Sequence, residues 1–278
     1  MRKTAALFLL TTTAGMATYI LMPGFIGLLR KSGAVCKNYQ GAMVASSGGF
    51  LLLWIGSLIV LFSPTPIVLR LIVTAAGLGF AMLGQLDDFL GSRRDSGLIG
   101  HFRAFKQGRW TTGSLKAMLG GVFGFGLSFC FSHRLPLWYI YLGTLIVNGL
   151  LIAGGANLIN LLDVRPGRAG KGFLIGSLTV LFWGSGDSLK ILLPFIGALV
   201  GYLYYDLNGQ VMMGDTGSNG LGAVLGLAMA SGFTLPGRLC VLGGIAAVHV
   251  VAEKSSLSHI IAKFAPLKAI DRWGRPDP

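Results

Sequence analysis

The chain has little charge: Asp, Glu, Lys and Arg make up 12% of its 278 residues, about half the roughly 25% of an ordinary soluble domain. Acid is scarcest, with ten Asp and Glu against 23 Lys and Arg. Cysteine is almost absent, and Cys36, Cys130 and Cys240 are odd in number and far apart. That excludes a disulfide framework and a CxxC metal site. The four histidines, His101, His133, His249 and His259, lack ligand spacing, which excludes a histidine-built zinc centre. What is present is apolar, 53% of residues with a mean hydropathy of +0.70. Disorder is thereby excluded. At about 20 residues per crossing, the length holds up to roughly ten membrane helices and no separate soluble domain. The net charge of +13 then reads as positive-inside flanks facing anionic lipid or substrate, not as a nucleic-acid surface.

Apolar runs predict an all-α, polytopic integral membrane protein with about nine transmembrane helices, at 4–29, 43–62, 67–86, 113–132, 137–156, 172–186, 189–205, 217–235 and 238–252. They form one transmembrane domain over 1–278, with 253–278 as a cytoplasmic C-terminal segment. The first run is too long for a signal peptide and no convincing A-x-A site follows it. An N-terminus outside puts 17 Lys and Arg inside and six outside, as the positive-inside rule favours. Nine of the ten acids, all but Asp187, fall on that same inner side. Outer connections such as Ser63-Pro64-Thr65-Pro66 are mere turns, so the chemistry is expected in a cytoplasmic cleft.

Four constellations stand at that face. Asp87-Asp88 follows Gly84-Gln85-Leu86 where the third run ends. It reads as a solvated helix end or as hard oxygen ligands for Mg²⁺ shared with substrate phosphates. Asn157, Asn160 and Asp163 recur at three-residue spacing, which on a helix gives one polar face opposite an apolar one. Such groups at membrane depth default to function, with helix-to-helix hydrogen bonding as the rival. Beyond them Arg165, Arg168 and Lys171 suit a highly anionic ligand or a plain basic flank. Met213-Gly214-Asp215-Thr216-Gly217-Ser218 opens the eighth run. Asp215 there holds a metal that bridges phosphates, or caps the helix. Lys116, entering the fourth run, reaches a phosphate or snorkels to the interface.

The order of these motifs, together with Ser47-Gly48-Gly49, resembles the polyprenyl-phosphate N-acetylhexosamine-1-phosphate transferase superfamily. That superfamily includes the phospho-N-acetylmuramoyl-pentapeptide translocase and the WecA and TagO-type enzymes. The resemblance runs from about Asn38 to Gly274 and implies an enzyme of the prokaryotic cytoplasmic membrane. It implies transfer of a sugar 1-phosphate from a UDP-sugar to polyprenyl phosphate, releasing UMP, in cell-envelope or cell-wall biogenesis, with Mg²⁺ as cofactor. By the same resemblance Asp87, Asp88 and Asp163 are the catalytic carboxylates, Asp215, Asn160 and Asp88 hold the metal, and Lys116, Arg165, Arg168 and Asn157 contact substrate phosphates. The UDP-sugar, the lipid acceptor and membrane lipids are the expected partners, nucleic acid is not, and a homodimer is left open. Two departures mark a divergent member. Pro166 replaces the second aspartate of the usual DGxDG, and Pro266-Leu267-Lys268-Ala269-Ile270-Asp271 stands where the translocase branch is histidine-rich. They keep alive a rival reading, a catalytically inactive relative that binds lipid phosphate as a membrane scaffold.

Overall fold

The computed structural model describes residues 2–90, 112–132 and 136–276. Its helices are α1 (Arg2–Lys31), α2 (Gly49–Val60), α3 (Ile67–Leu90), α4 (Thr112–Phe131), α5 (Trp138–Leu162), α6 (Arg168–Trp183), α7 (Ser188–Leu207), α8 (Gly214–Gly232), α9 (Leu235–Lys254), α10 (Leu257–Lys263) and α11 (Ala265–Arg272). Among the described residues six helices, α1, α3, α4, α5, α7 and α9, are long and apolar enough to cross a membrane. The remaining three of the nine expected crossings fall short of that measure. The α2 helix has 12 residues and α6 has 16, while α8 has 19 but is glycine-rich and enclosed by protein.

One correction concerns the second run, expected to be helical from residue 43. The chain there first forms an antiparallel pair, β1 (Val35–Lys37) with β2 (Met43–Ala45), and the helix starts at Gly49. The fold is therefore helical with one small hairpin. The hairpin positions the site, because β2 also holds the strand-like lead into α8. Met212 N–H donates to Ala45 O at 2.8 Å, and Gly48 N–H donates to Met212 O at 2.9 Å.

The α8 helix is the axis of the molecule. Seventeen of its residues are buried, and the fold packs α2, α3, α5, α6 and α7 around it. Glycine allows this closeness: a Cβ on Gly155 of α5 would lie 2.6 Å from the carbonyl oxygen of Gly222, inside any permitted contact. Without a hydrophobic drive between helices in lipid, such backbone approach supplies the packing. The α9 helix differs. Ile245 is its one buried residue, so a cleft is left between it, α4 and α5.

Candidate active site

The site is assembled at the N-terminus of α8. Gly214 has a left-handed φ of 74°, and a Cβ there would stand 3.0 Å from Asp88 Oδ2 and from Ser47 N. Glycine is thus required where the chain turns into the helix. Asp88, from the end of α3, fills the space opposite. It accepts from Asp215 N–H at 3.1 Å, Thr216 N–H at 3.2 Å and Thr216 Oγ1 at 2.8 Å, satisfying donors that a helix start leaves open. Ser47 Oγ adds a fourth bond at 3.0 Å. Ser47 itself has φ 64°, a conformation that costs a non-glycine residue about 1–3 kcal/mol and concentrates at functional sites.

Asp215, in the first turn of α8, pairs with Lys116 of α4. Asn160 of α5 donates to Ser218 Oγ at 3.1 Å, and Asp163, which ends α5, faces the Gly214 N–H. Asp88, Asp163, Asp215, Asn160 and Lys116 are therefore brought together. Burial and the Asp215 charge raise the Asp88 carboxyl above its usual range. Asp163 is also raised well above its usual range, by burial first and then by Asp206, Asp215 and Asp88. Carboxylates that raise one another are a site short of positive charge.

The other expected contacts lie elsewhere. The Arg165 guanidinium stacks 4.2 Å from the centre of the Tyr39 ring. Arg168 is buried and engaged: it grips Asp271 through two bonds of 2.7 and 3.1 Å and Ser258 through one of 2.8 Å. Asn157 faces His249 of α9. The side chain of Asp87 lies outside the described residues, as does the basic stretch from Arg93 to Arg109. Sequence reasoning passed over Asp206, 4% exposed, which accepts from Gly167 N–H at 2.7 Å. A lone acid at the end of an apolar run was the available signal.

Beside these groups lies a cleft of about 810 Å³. Its walls are largely apolar, from Phe80, Leu83, Leu150, Ala153 and Ile245, and it carries Lys116, Asn157, Asn160, His249 and Glu253. Among the described residues no three His, Cys, Asp or Glu side chains close on one ion position. Asp88 and Asp215 are hard oxygen donors of the kind Mg²⁺ takes, one or two carboxylates at a time with water and substrate phosphates completing its shell.

The fold and the site define a polytopic membrane protein with a carboxylate cluster at a helix N-terminus beside an apolar-walled cleft. Its residues 70–232 match the model of glycosyl transferase family 4. The chain is 30% identical to the phospho-N-acetylmuramoyl-pentapeptide-transferase of Clavibacter michiganensis subsp. michiganensis, over 80% of this chain and 69% of that one. With the proteins of the same name from Shouchella clausii and Thermotoga petrophila it shares 28% and 33%, over 80% and 71% of this chain and 68% and 63% of theirs. The chain belongs to glycosyl transferase family 4, as a divergent member of the polyprenyl-phosphate sugar-1-phosphate transferase superfamily. It spans about two thirds of the length of these relatives.

Proposed function

We propose that this protein transfers a sugar 1-phosphate from a UDP-N-acetylhexosamine to polyprenyl phosphate, releasing UMP, at the cytoplasmic face of the membrane. The observation that carries the reading is the convergence of Asp88, Asp163, Asp215 and Lys116 beside an apolar-walled cleft. An anionic head on a long apolar tail fits such a place, and family membership supplies the reaction type.

The lipid phosphate oxygen attacks the sugar-bearing phosphorus, and the bond from that phosphorus to the oxygen bridging to UMP breaks. A phosphate monoester, with a second pKa near ~6, is largely ionised at neutral pH and needs little help from a base. Asp87 is therefore assigned an orienting role. Asp215, Asn160 and Asp88 would hold Mg²⁺, which supplies charge neutralisation on the pyrophosphate. Lys116, paired with Asp215, exchanges that partner for a substrate phosphate, and Arg165 serves the same substrate from beside Tyr39. Positioning and charge account for phosphoryl transfer better than covalent help does. Arg168, fixed by Asp271 and Ser258, holds the C-terminal segment against the start of α6.

The donor is proposed to be a simple hexosamine, because the segment from Lys268 to Arg275 is built of donors and a structural carboxylate where the translocase branch has histidines. A panel of UDP-sugars, with purified protein, polyprenyl phosphate and Mg²⁺, tests this by UMP release. The highest turnover is expected with a UDP-N-acetylhexosamine. Faster turnover with UDP-N-acetylmuramoyl-pentapeptide would overturn the donor assignment, and folded protein inert with every donor would favour the scaffold.

A further inference from the structure

The cleft contains a hydrogen-bonded pair, His249 with Asn157. His249 Nδ1 lies 2.8 Å from the carbonyl oxygen of Ile245, one turn back on α9, and its Nε2 lies 2.6 Å from Nδ2 of Asn157 on α5. A carbonyl oxygen only accepts, so Nδ1 carries the proton. With the amide nitrogen toward it, Nε2 accepts, and the ring is then the neutral Nδ1–H tautomer. The amide orientation and the tautomer determine each other. The rival arrangement is an imidazolium donating to a flipped Asn157 oxygen, with Glu253 of α9 and Lys116 of α4 as the charges lining the same cleft.

We propose that His249 is a positioning residue that holds the Asn157 amide with its nitrogen toward the ring, leaving the amide oxygen to accept from a substrate hydroxyl or acetamido N–H. The substrate naming rests on the transferase reading above. The consequence for Asn157 is an added role, reader of a donor group through its oxygen, beside whatever its second amide N–H donates to. An ionised phosphate offers only acceptors, which an amide oxygen does not pair with, whereas a hexosamine carries several donors. The packing of α9 gives the pair further weight. This helix leans on the body only sparsely, with Ile245 its buried residue, so the Asn157 bond also sets where its inner end stands.

Two measurements test the proposal together. Nitrogen-15 NMR of histidine-labelled protein in nanodiscs at neutral pH should show a neutral ring protonated on Nδ1, and that signal should vanish in His249→Gln. In the transfer assay His249→Phe should lose about tenfold in kcat/KM, the scale of one hydrogen bond. His249→Gln, whose side-chain oxygen accepts in place of Nε2, should recover most of it. In an Asn157→Ala background His249→Phe should cost nothing more. An Nε2–H or doubly protonated ring at position 249 overturns the proposal, and so does full activity in His249→Phe or an undiminished cost of that change without Asn157. Should His249→Phe not fold, the wild-type spectrum and His249→Gln decide. If wild type transfers no sugar phosphate from any donor, the transferase reading fails, and the spectrum still decides whether the pair has this sense.

Discussion

Asp88 ties the end of α3 to the start of α8 by accepting from two backbone N–H groups, the Thr216 hydroxyl and the Ser47 hydroxyl. Asp215 beside it is held by Lys116. The two acids thus differ in what their loss should do. Asp215→Asn removes a charge and leaves the Asp88 contacts standing, so turnover should fall by orders of magnitude at unchanged thermal stability. Asp88→Asn should cost turnover similarly and also lower stability by about 1 kcal/mol, as removal of a helix cap does. Parallel turnover and melting measurements check both; unchanged turnover in both variants would remove these residues from the chemistry. The residues that could be read from sequence were those set at short fixed spacings, Asp87-Asp88, Asn157 to Asp163 and Gly214 to Ser218. Asp206 offered only its place at the end of an apolar run, and His249 stands alone in one; each acquires meaning only from Gly167 or Asn157, distant in sequence.

At the scale of elements, two features decide whether the site keeps its shape. The first is the contact of α5 with α8, where a Cβ on Gly155 would meet Gly222 O at 2.6 Å. Gly155→Ala should destabilise by about 1–3 kcal/mol, the usual cost of overpacking, measured as a lower Tm; an unchanged Tm would mean the helices stand further apart. The second is the clamp on the C-terminal segment. Asp271 binds Arg168 and Arg275, and Lys171 donates to the carbonyls of Asp271 and Trp273 at 2.9 and 2.6 Å. Burial pushes the Asp271 carboxyl up, but the two guanidiniums outweigh it and hold it below 3.8. A lowered acid stabilises the fold above its unfolded value and loses that contribution as pH falls through its folded value. The Tm gap between wild type and Asp271→Asn should be full at pH 7 and should close as pH drops below 3.8. A gap independent of pH would show that the clamp is not electrostatic. Helix positions were legible because their apolar runs are long. The hairpin at 35–45 was not, since three-residue strands are too short to display a period of two, and an apolar stretch that continues into α2 conceals where the strand ends.

For the whole molecule the charge count and the helix count make separate demands. The N-terminus-outside arrangement places the turn between α6 and α7 outside and the end of α9 inside, while only six helices reach crossing length and hydropathy among the described residues. Single cysteines at Ser185 and Ser255, in a background without the three native cysteines, should label from opposite faces of sealed vesicles. Labelling from one face would break the arrangement. The carboxylates at the start of α8 and the adjoining cleft are proposed to carry a sugar phosphate to a lipid phosphate. This transfer is followed directly with a UDP-N-acetylhexosamine labelled in the phosphate next to the sugar, incubated with purified protein, polyprenyl phosphate and Mg²⁺. The label should pass into the lipid fraction in step with unlabelled UMP, and should stay in the nucleotide with Asp215→Asn. Label released as free phosphate, or retained on the nucleotide by folded wild-type protein, would rule out this transfer.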